Sequence, residues 1–571
     1  MCGIAGVFFF NSDEIPSSEK VRWMAEEIAH RGPDGVGFYT SGNGALMLTH
    51  RRLSIIDLSN EAAQPMISSN GRYIITFNGE IYNYKELREE LLMKGCRFHS
   101  DSDTEVLLQL FQLEGASCLD RLDGMFAFAI WDEQEKVLFC ARDRFGEKPF
   151  YYCRNSGFFV FSSEIKAIKK YLQELSLDKV LLQDYLEGNV VFEGSVTPFK
   201  DVEALLPACY LTLSQSEFQI NKYWQINLNN KIFLGGDRDD IDRFRELMFE
   251  SVQLRLRSDV PVGSSLSGGL DSSSVVGVMS KLLNSDFHTF SARFNSEKDE
   301  GKWIAEVVES IGVKNHEVWP DQDGLLDEID KITWHHEFPI GSGSVYAQWC
   351  VMSLPSDYSV KVLLDGQGAD EYLCGYDELK YFAIWNLYRR GDFVNFFKEK
   401  KLFNDYYGSN GNLGYLFLFD PLLKLLGIKR NVFQYGENLK EQLLYYTSTK
   451  LGELLRYADR NSMAHSIEVR LPFLSHKLVE FVFSIPDTLI YRNGKTKFIL
   501  REALQDNLPE AIYNRTDKIG FASPQNAWVN SRSFLKKYPE VLALIHEAGL
   551  KPGPEKFRNF AVSSFLKVFD K

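Results

Sequence analysis

Short apolar runs bounded by turn residues dominate the first ~210 residues of the chain. GALMLTHRRLSIIDL, RYIITFNGEIYN, MFAFAIWD, KVLFCARD and FYYCRNSGFFVFSSE concentrate β-branched and aromatic residues between Gly, Asn, Asp and Ser, which predicts strands. Helical spacing intervenes in NYKELREELLMKG. Many strands with a few helices predict an α+β unit of packed antiparallel sheets. The rhythm changes across QINKYWQINLNNKIFLGGDRDDID, where Asn, Gly and Asp accumulate and the periodicity is lost. From about Asp239, helical faces such as DRFRELMFESVQLRL alternate with the strand-like runs VPVGSSL, FHTFSARF, NHEVWP and VKVLLDG. That is the βαβ rhythm of a parallel sheet. The remainder, to Lys571, reads as largely helical, and no internal repeat is found. The most apolar stretch, YLFLFDPLLKLLG, is broken by Asp420, Pro421 and Lys424 and reads as a core helix, not a membrane span.

Length and composition narrow the class. At 571 residues the chain exceeds one ordinary core, so two or three domains are expected. A hydrophobic share of 44% and a charged share of 25% are those of a soluble globular protein. The net charge of -14 argues against non-specific binding to nucleic acid or an anionic membrane, but allows a local basic pocket for phosphates. The eight cysteines include no CxxC pair, which disfavours a zinc site or a redox dithiol. They read as buried thiols of a reducing compartment, and the N-terminus shows no secretory pattern; a cytoplasmic protein is expected. His335-His336 lacks HExxH spacing, DRDDID reads as a solvated face, and the aromatics of Tyr376–Phe397 read as core.

Two constellations carry chemistry. The first is MCGIAGVFFF. If Met1 is removed, the Cys2 thiol stands beside a free α-amine with a reference pKa of about 7.7–8.0. The chain end then supplies nucleophile and base together. A buried, inert cysteine is the competing reading. MCGIAGVF, HRGPDG, RRLSIIDL, FNGEIYN and DSDTEVLL, extended by ARDRFGEKPFYY and SSEIKAI, resemble the glutamine amidotransferase domain with an N-terminal cysteine nucleophile. The resemblance implies an Ntn-hydrolase α/β/β/α sandwich in which Cys2 attacks the glutamine side-chain amide. Asn78 and Gly79 would form the oxyanion hole. Arg52 would hold the α-carboxylate of glutamine, and Glu80 and Asp103 its α-ammonium. A neutral donor pair suits an oxyanion and a bidentate Arg suits a carboxylate. Taken singly, the residues have blander readings: Asn78-Gly79 as a hairpin turn, Asp103 as a helix N-cap and Arg52 as surface charge.

The second constellation is SLSGGLDSSSVVGVMSKLL, read as a strand-to-helix loop. Two glycines let backbone approach an anion, while Ser hydroxyls and a helix N-terminus donate to phosphate. Asp271 beside a phosphate calls for a bridging cation, and Mg²⁺ suits oxygen ligands. No Lys follows the glycines, so this is not the P-loop. The hexamer Ser267-Gly268-Gly269-Leu270-Asp271-Ser272 resembles the SGGxDS loop of ATP pyrophosphatases. VKVLLDGQGADEYLCGY, RYADRNSMAHSIEVRLPFL and NGKTKFILREAL complete a resemblance to the glutamine-hydrolysing asparagine synthetase family over nearly the whole chain.

That resemblance implies a glutaminase domain at 2–212 and an α/β ATP-pyrophosphatase domain with many helices at 235–571. Leu266, Ser267, Gly268, Gly269, Asp271, Ser272, Ala292, Asp365 and Gly366 would bind ATP or pyrophosphate. Asp271 and Asp370 would hold Mg²⁺, and Lys497 would neutralise charge on the adenylate; alone it would read as a solvated helix lysine. The implied substrates are glutamine, ATP and aspartate, with no nucleic-acid or membrane partner and with room for a homodimer. Asp365 and Gln367 depart from the family loop, which has Ser and Glu there, and FSARF departs at Ala292 and Arg293. These departures leave open another acceptor carboxylate, such as a sugar uronate.

Overall fold

The computed structural model describes residues 2–10, 15–189, 192–231, 235–284, 286–297, 299–407, 436, 438–517 and 523–570. The YLFLFDPLLKLLG stretch lies outside them. The N-terminal unit is built on two six-stranded antiparallel sheets. One runs Glu203–Ala204, Tyr151–Arg154, Phe158–Ser162, Gly3–Phe9, Leu46–Arg52, Gly35–Thr40 in spatial order. The other runs Phe218–Lys222, Cys209–Leu213, Val137–Arg142, Gly124–Asp132, Tyr73–Ile81, Met66–Ile67.

Strand alternation assigns the layers, because successive side chains point to opposite faces. Ile4, Phe8, Leu46 and Leu48 of the first sheet pack with Ile74, Ala127, Ala129 and Trp131 of the second. The intervening Ala5 and Val7 instead meet Val21, Met24 and Ile28 of the outer helical segment around Ser18–Glu27. On the far face, Ile75, Phe77, Phe126 and Phe128 meet Leu87 and Leu91 of helix Tyr84–Met93 and Val106, Leu107 and Leu110 of helix Asp103–Glu114. The result is an α/β/β/α sandwich.

The second unit centres on a five-stranded parallel sheet, in the order Lys314–Val318, His288–Ala292, Val262–Ser265, Val362–Leu364, Glu468–Arg470. Chain order runs outward from Val262–Ser265 on one side and resumes with Val362–Leu364 on the other. The reversal makes a topological switch point between these strands, where open α/β sheets bind ligands beyond the strand C-termini. The loops that begin at Leu266 and at Asp365 flank it. The aromatics of Tyr376–Phe397 divide: Phe382 and Trp385 are buried, but Phe393 and Phe397 are 52% and 66% exposed. Core packing therefore accounts for only part of that run. Among the described residues, no helix is long and apolar enough to cross a membrane.

Candidate active sites

Cys2 immediately precedes the central strand Gly3–Phe9 and is buried. Its main-chain N–H donates to Asn78 Oδ1 at 2.9 Å, and its thiol points to the Leu53 carbonyl at 4.0 Å. Burial pushes the thiol pKa up, so the protonated thiol is the resting form and a base is needed to activate it. Asn78 and Gly79 lie within strand Tyr73–Ile81, not in a hairpin turn. Asn78 is fully buried, and its Nδ2 has no hydrogen-bond partner, leaving an amide donor beside Cys2. At Gly79 the neighbouring strand comes so close that a Cβ would lie 2.1 Å from the Met125 carbonyl oxygen. Only glycine fits that approach.

Cys2, Arg52, Gly79, Glu80 and Asp103 line one small pocket. Arg52 donates to the carbonyls of Ser59 and Asp57 at its rim. Asp103 is the first residue of helix Asp103–Glu114, and Ser102 caps that helix by accepting from Thr104 N–H. The Asp103 carboxylate is thus released from capping; it accepts from Ile81 N–H at 2.9 Å. Burial pushes Asp103 up to about 6. Burial, and then the neighbouring Glu468, also hold Glu80 well above the usual carboxylate range. Each must be ionised to hold a cation, and a cationic guest beside them would favour that charged form.

The residues expected at a phosphate loop converge at the switch point. Ser267, Gly269, Leu270, Asp271, Ser272, Asp365, Gly366, Asp370 and Lys497 line a cavity of about 210 Å³. A second cavity of about 380 Å³ shares Ser267, Ser272, Asp365 and Asp370 and adds Leu266 and Gln367. Ser267 and Ser272 hydroxyls are 3.0 Å apart across the loop. A Cβ on Gly366 would lie 2.6 Å from Ser272 N, so glycine lets the two loops touch. Gly268 and Ala292 do not line either cavity: Gly268 lies behind the loop, where its carbonyl accepts from Arg515, and Ala292 ends a sheet strand.

Lys497 is not a solvated lysine. It caps helix Phe498–Ala503 in a left-handed conformation, φ 54°, and is buried. Its Nζ meets Asp271 at 2.6 and 2.5 Å and Asp370 at 2.5 Å. Burial alone would lower its pKa, but the two carboxylates outweigh that and raise it. Two carboxylates converging on one cation beside a hydroxyl-rich loop form an oxygen donor set of the kind Mg²⁺ takes. Asp365 is half-buried, accepts from Gln367 N–H at 3.0 Å, and is shifted upward by desolvation.

Several residues escaped the sequence reading. Arg31 Nε donates to the Cys2 carbonyl at 3.0 Å, while its two Nη atoms fork onto Asp459 of the long helix Leu439–Ala464 at 2.8 and 2.9 Å. Glu300, Arg501 and Arg515 line the smaller nucleotide-side cavity. Burial pushes Glu300 up to about 7 against the pull of Arg515. Arg31 did stand in HRGPDG, but its partner lies 428 residues away, so no local signal pairs them.

Known protein families match both halves of the chain. Residues 1–224 match a glutamine amidotransferase domain model, and residues 243–544 match the asparagine synthase model. Asparagine synthetase [glutamine-hydrolyzing] 1 of Bacillus subtilis (strain 168) is 32% identical, over 93% of this chain and 88% of the relative. Asparagine synthetase [glutamine-hydrolyzing] 3 of the same organism is 31% identical, over 90% and 86%. Amidase chry2 of Gibberella zeae is 28% identical, over 92% and 90%. With both domain models matched in order and relatives at 31–32% identity over most of the chain, the chain belongs to the glutamine-hydrolysing asparagine synthetase family.

Proposed function

We propose that the protein hydrolyses glutamine to glutamate and ammonia, activates aspartate with ATP, and amidates it to asparagine with release of AMP and pyrophosphate. The observation that carries this reading is the presence of two separately built pockets in one chain, one around Cys2 and one around Asp271, Asp370 and Lys497.

In the first pocket, Cys2 Sγ attacks the glutamine amide carbon. With Met1 removed, the Cys2 α-amine takes the thiol proton and later returns it to the leaving ammonia. Asn78 Nδ2 and the Gly79 N–H stabilise the oxyanion. Arg52 takes the α-carboxylate, and Glu80 and Asp103 take the α-ammonium. Water then releases glutamate from the thioester.

In the second pocket, Ser267, Gly269 and Ser272 cradle the phosphates of ATP, and Leu266, Asp365 and Gly366 take its nucleoside side. Asp271 and Asp370 would hold Mg²⁺, which would neutralise phosphate charge. Lys497 offsets the negative charge that builds as the carboxylate displaces pyrophosphate. Ammonia then displaces AMP, and Asp365 is placed to accept the proton that Gln367, an amide, cannot take. A reducing, cytoplasmic setting suits the free cysteines. The test is asparagine formed from aspartate, ATP and glutamine, with one AMP per asparagine. AMP release with a sugar uronate, and no asparagine from aspartate, would replace aspartate as the acceptor.

A further inference from the structure

The residues that line the Cys2 pocket belong to the N-terminal unit, but Glu80 among them is approached from the other unit. Strand Glu468–Arg470, at the edge of the parallel sheet, delivers two buried charged side chains toward it. Arg470 Nε donates to Glu468 Oε1 at 2.6 Å, and its Nη1 donates to the carbonyls of Arg255 and Arg257 at 2.7 and 2.6 Å. Its Nη2 stands 3.5 Å from Glu80 Oε2, and neither atom has a hydrogen-bond partner. The main chain of the same residue serves the other site: its carbonyl accepts from Asp365 N–H at 3.0 Å, in register with Leu364.

We propose that Arg470 is a positioning residue shared by the two sites: its guanidinium sets the Glu80 carboxylate for an α-ammonium, while its main chain holds the Asp365 turn, so that the parallel-sheet unit completes the glutamine pocket. The claim rests on the reading of Glu80 as an ammonium ligand. The charge count makes the need plain. Facing Glu80 are Asp103 from the helix beside it, Glu468 and Arg470 from the sheet edge, and the Cys2 amine in a processed chain. Three carboxylates are offset there by one guanidinium and the terminal amine. Three anions packed together would otherwise take up protons, and a protonated Glu80 cannot hold a cation. The 3.5 Å gap matters as well. It leaves the Glu80 lone pair open to an incoming ammonium, whereas a tight Arg–Glu fork would occupy it.

The test is Arg470→Met in the full chain, with glutamine KM measured between pH 6.5 and 8.5. Removing one neighbouring cation moves a carboxyl by about one pH unit or more, so glutamine KM rises roughly tenfold near neutral pH. The KM recovers as the pH rises and Glu80 recharges; ammonia-driven synthesis, which depends on the main chain at 470 through the Asp365 turn, is expected to change less than the glutamine KM and without that pH dependence. In a Glu80→Gln background, Arg470→Met adds no further loss, because the two act as one unit. Should Arg470→Met fail to fold, Arg470→Lys keeps the charge and is expected to show an intermediate KM with a parent-like pH profile. An unchanged glutamine KM in folded Arg470→Met, or a loss that is the same at every pH, overturns the proposal. Failure of the underlying reading is separable: it appears as glutaminase activity that survives Cys2→Ala or is indifferent to Glu80→Gln.

Discussion

Asp271→Asn isolates the charge at the nucleotide site with little change in shape. In the parent, Lys497 Nζ lies 2.6 and 2.5 Å from the two Asp271 oxygens and 2.5 Å from Asp370. At an effective dielectric near 20, one such contact is worth about 6 kcal/mol of attraction before desolvation. The net is far smaller, because the Asp271 side chain keeps 19% of its exposure and Asp370 still pairs with Lys497. The ammonium is therefore never orphaned. Folding stability should fall by only about 1–2 kcal/mol, well short of the 3–5 kcal/mol of a broken buried pair. Adenylation should suffer much more. The carboxylate is proposed to help hold Mg²⁺ against the phosphates, and deleting a group aimed at developing charge costs about 10²–10³ in rate. The assay is positional isotope exchange in ATP with aspartate present and no nitrogen source, alongside basal glutaminase turnover in the same preparation. The reasoning requires exchange to collapse while glutaminase turnover persists. Exchange within a few-fold of the parent would refute the role of Asp271.

Three further outcomes are expected. Because burial pushes Asp103 up to about 6 and holds Glu80 well above its ordinary range, both gain charge as pH rises, so glutamine KM should fall as the pH is raised through 6; a flat KM in steady-state kinetics would remove them as ammonium ligands. Asp365→Ser should lower ammonia-driven synthesis by about 10²–10⁴, the range of a lost general base, and adding Gln367→Glu should restore part of it. Gly366→Ala forces a Cβ to within 2.6 Å of Ser272 N, and a displacement near 1 Å at this loop should cost about 100-fold in synthesis while leaving glutaminase intact.

Much of the architecture was readable from local pattern. Alternation in RYIITFNGEIYN and MFAFAIWD identified strands whose two faces pack on different layers, and VPVGSSL followed by a helical face located the phosphate loop. Period and turn chemistry act within a few residues, so they survive without tertiary information. What local pattern alone leaves out depends on distant partners. Lys497 reads as a surface lysine until Asp271 and Asp370 are folded onto it. Asp103 reads as a cap because Ser102 one residue earlier fills that role equally well by type. Arg31, Asp459 and Arg470 carry no local signal, since each acts across the boundary between the units. The aromatics after Tyr376 share one composition but divide between core and surface.

The central claim is that glutamine hydrolysis and carboxylate amidation occupy two separate sites of one chain. The most direct measurement is the nitrogen source used by Cys2→Ala. The account predicts that glutamine-dependent asparagine formation is abolished while ammonium salts still support synthesis near the parent rate. Equal loss with both nitrogen sources in a folded variant, or glutamine-dependent synthesis that persists without the thiol, would contradict it.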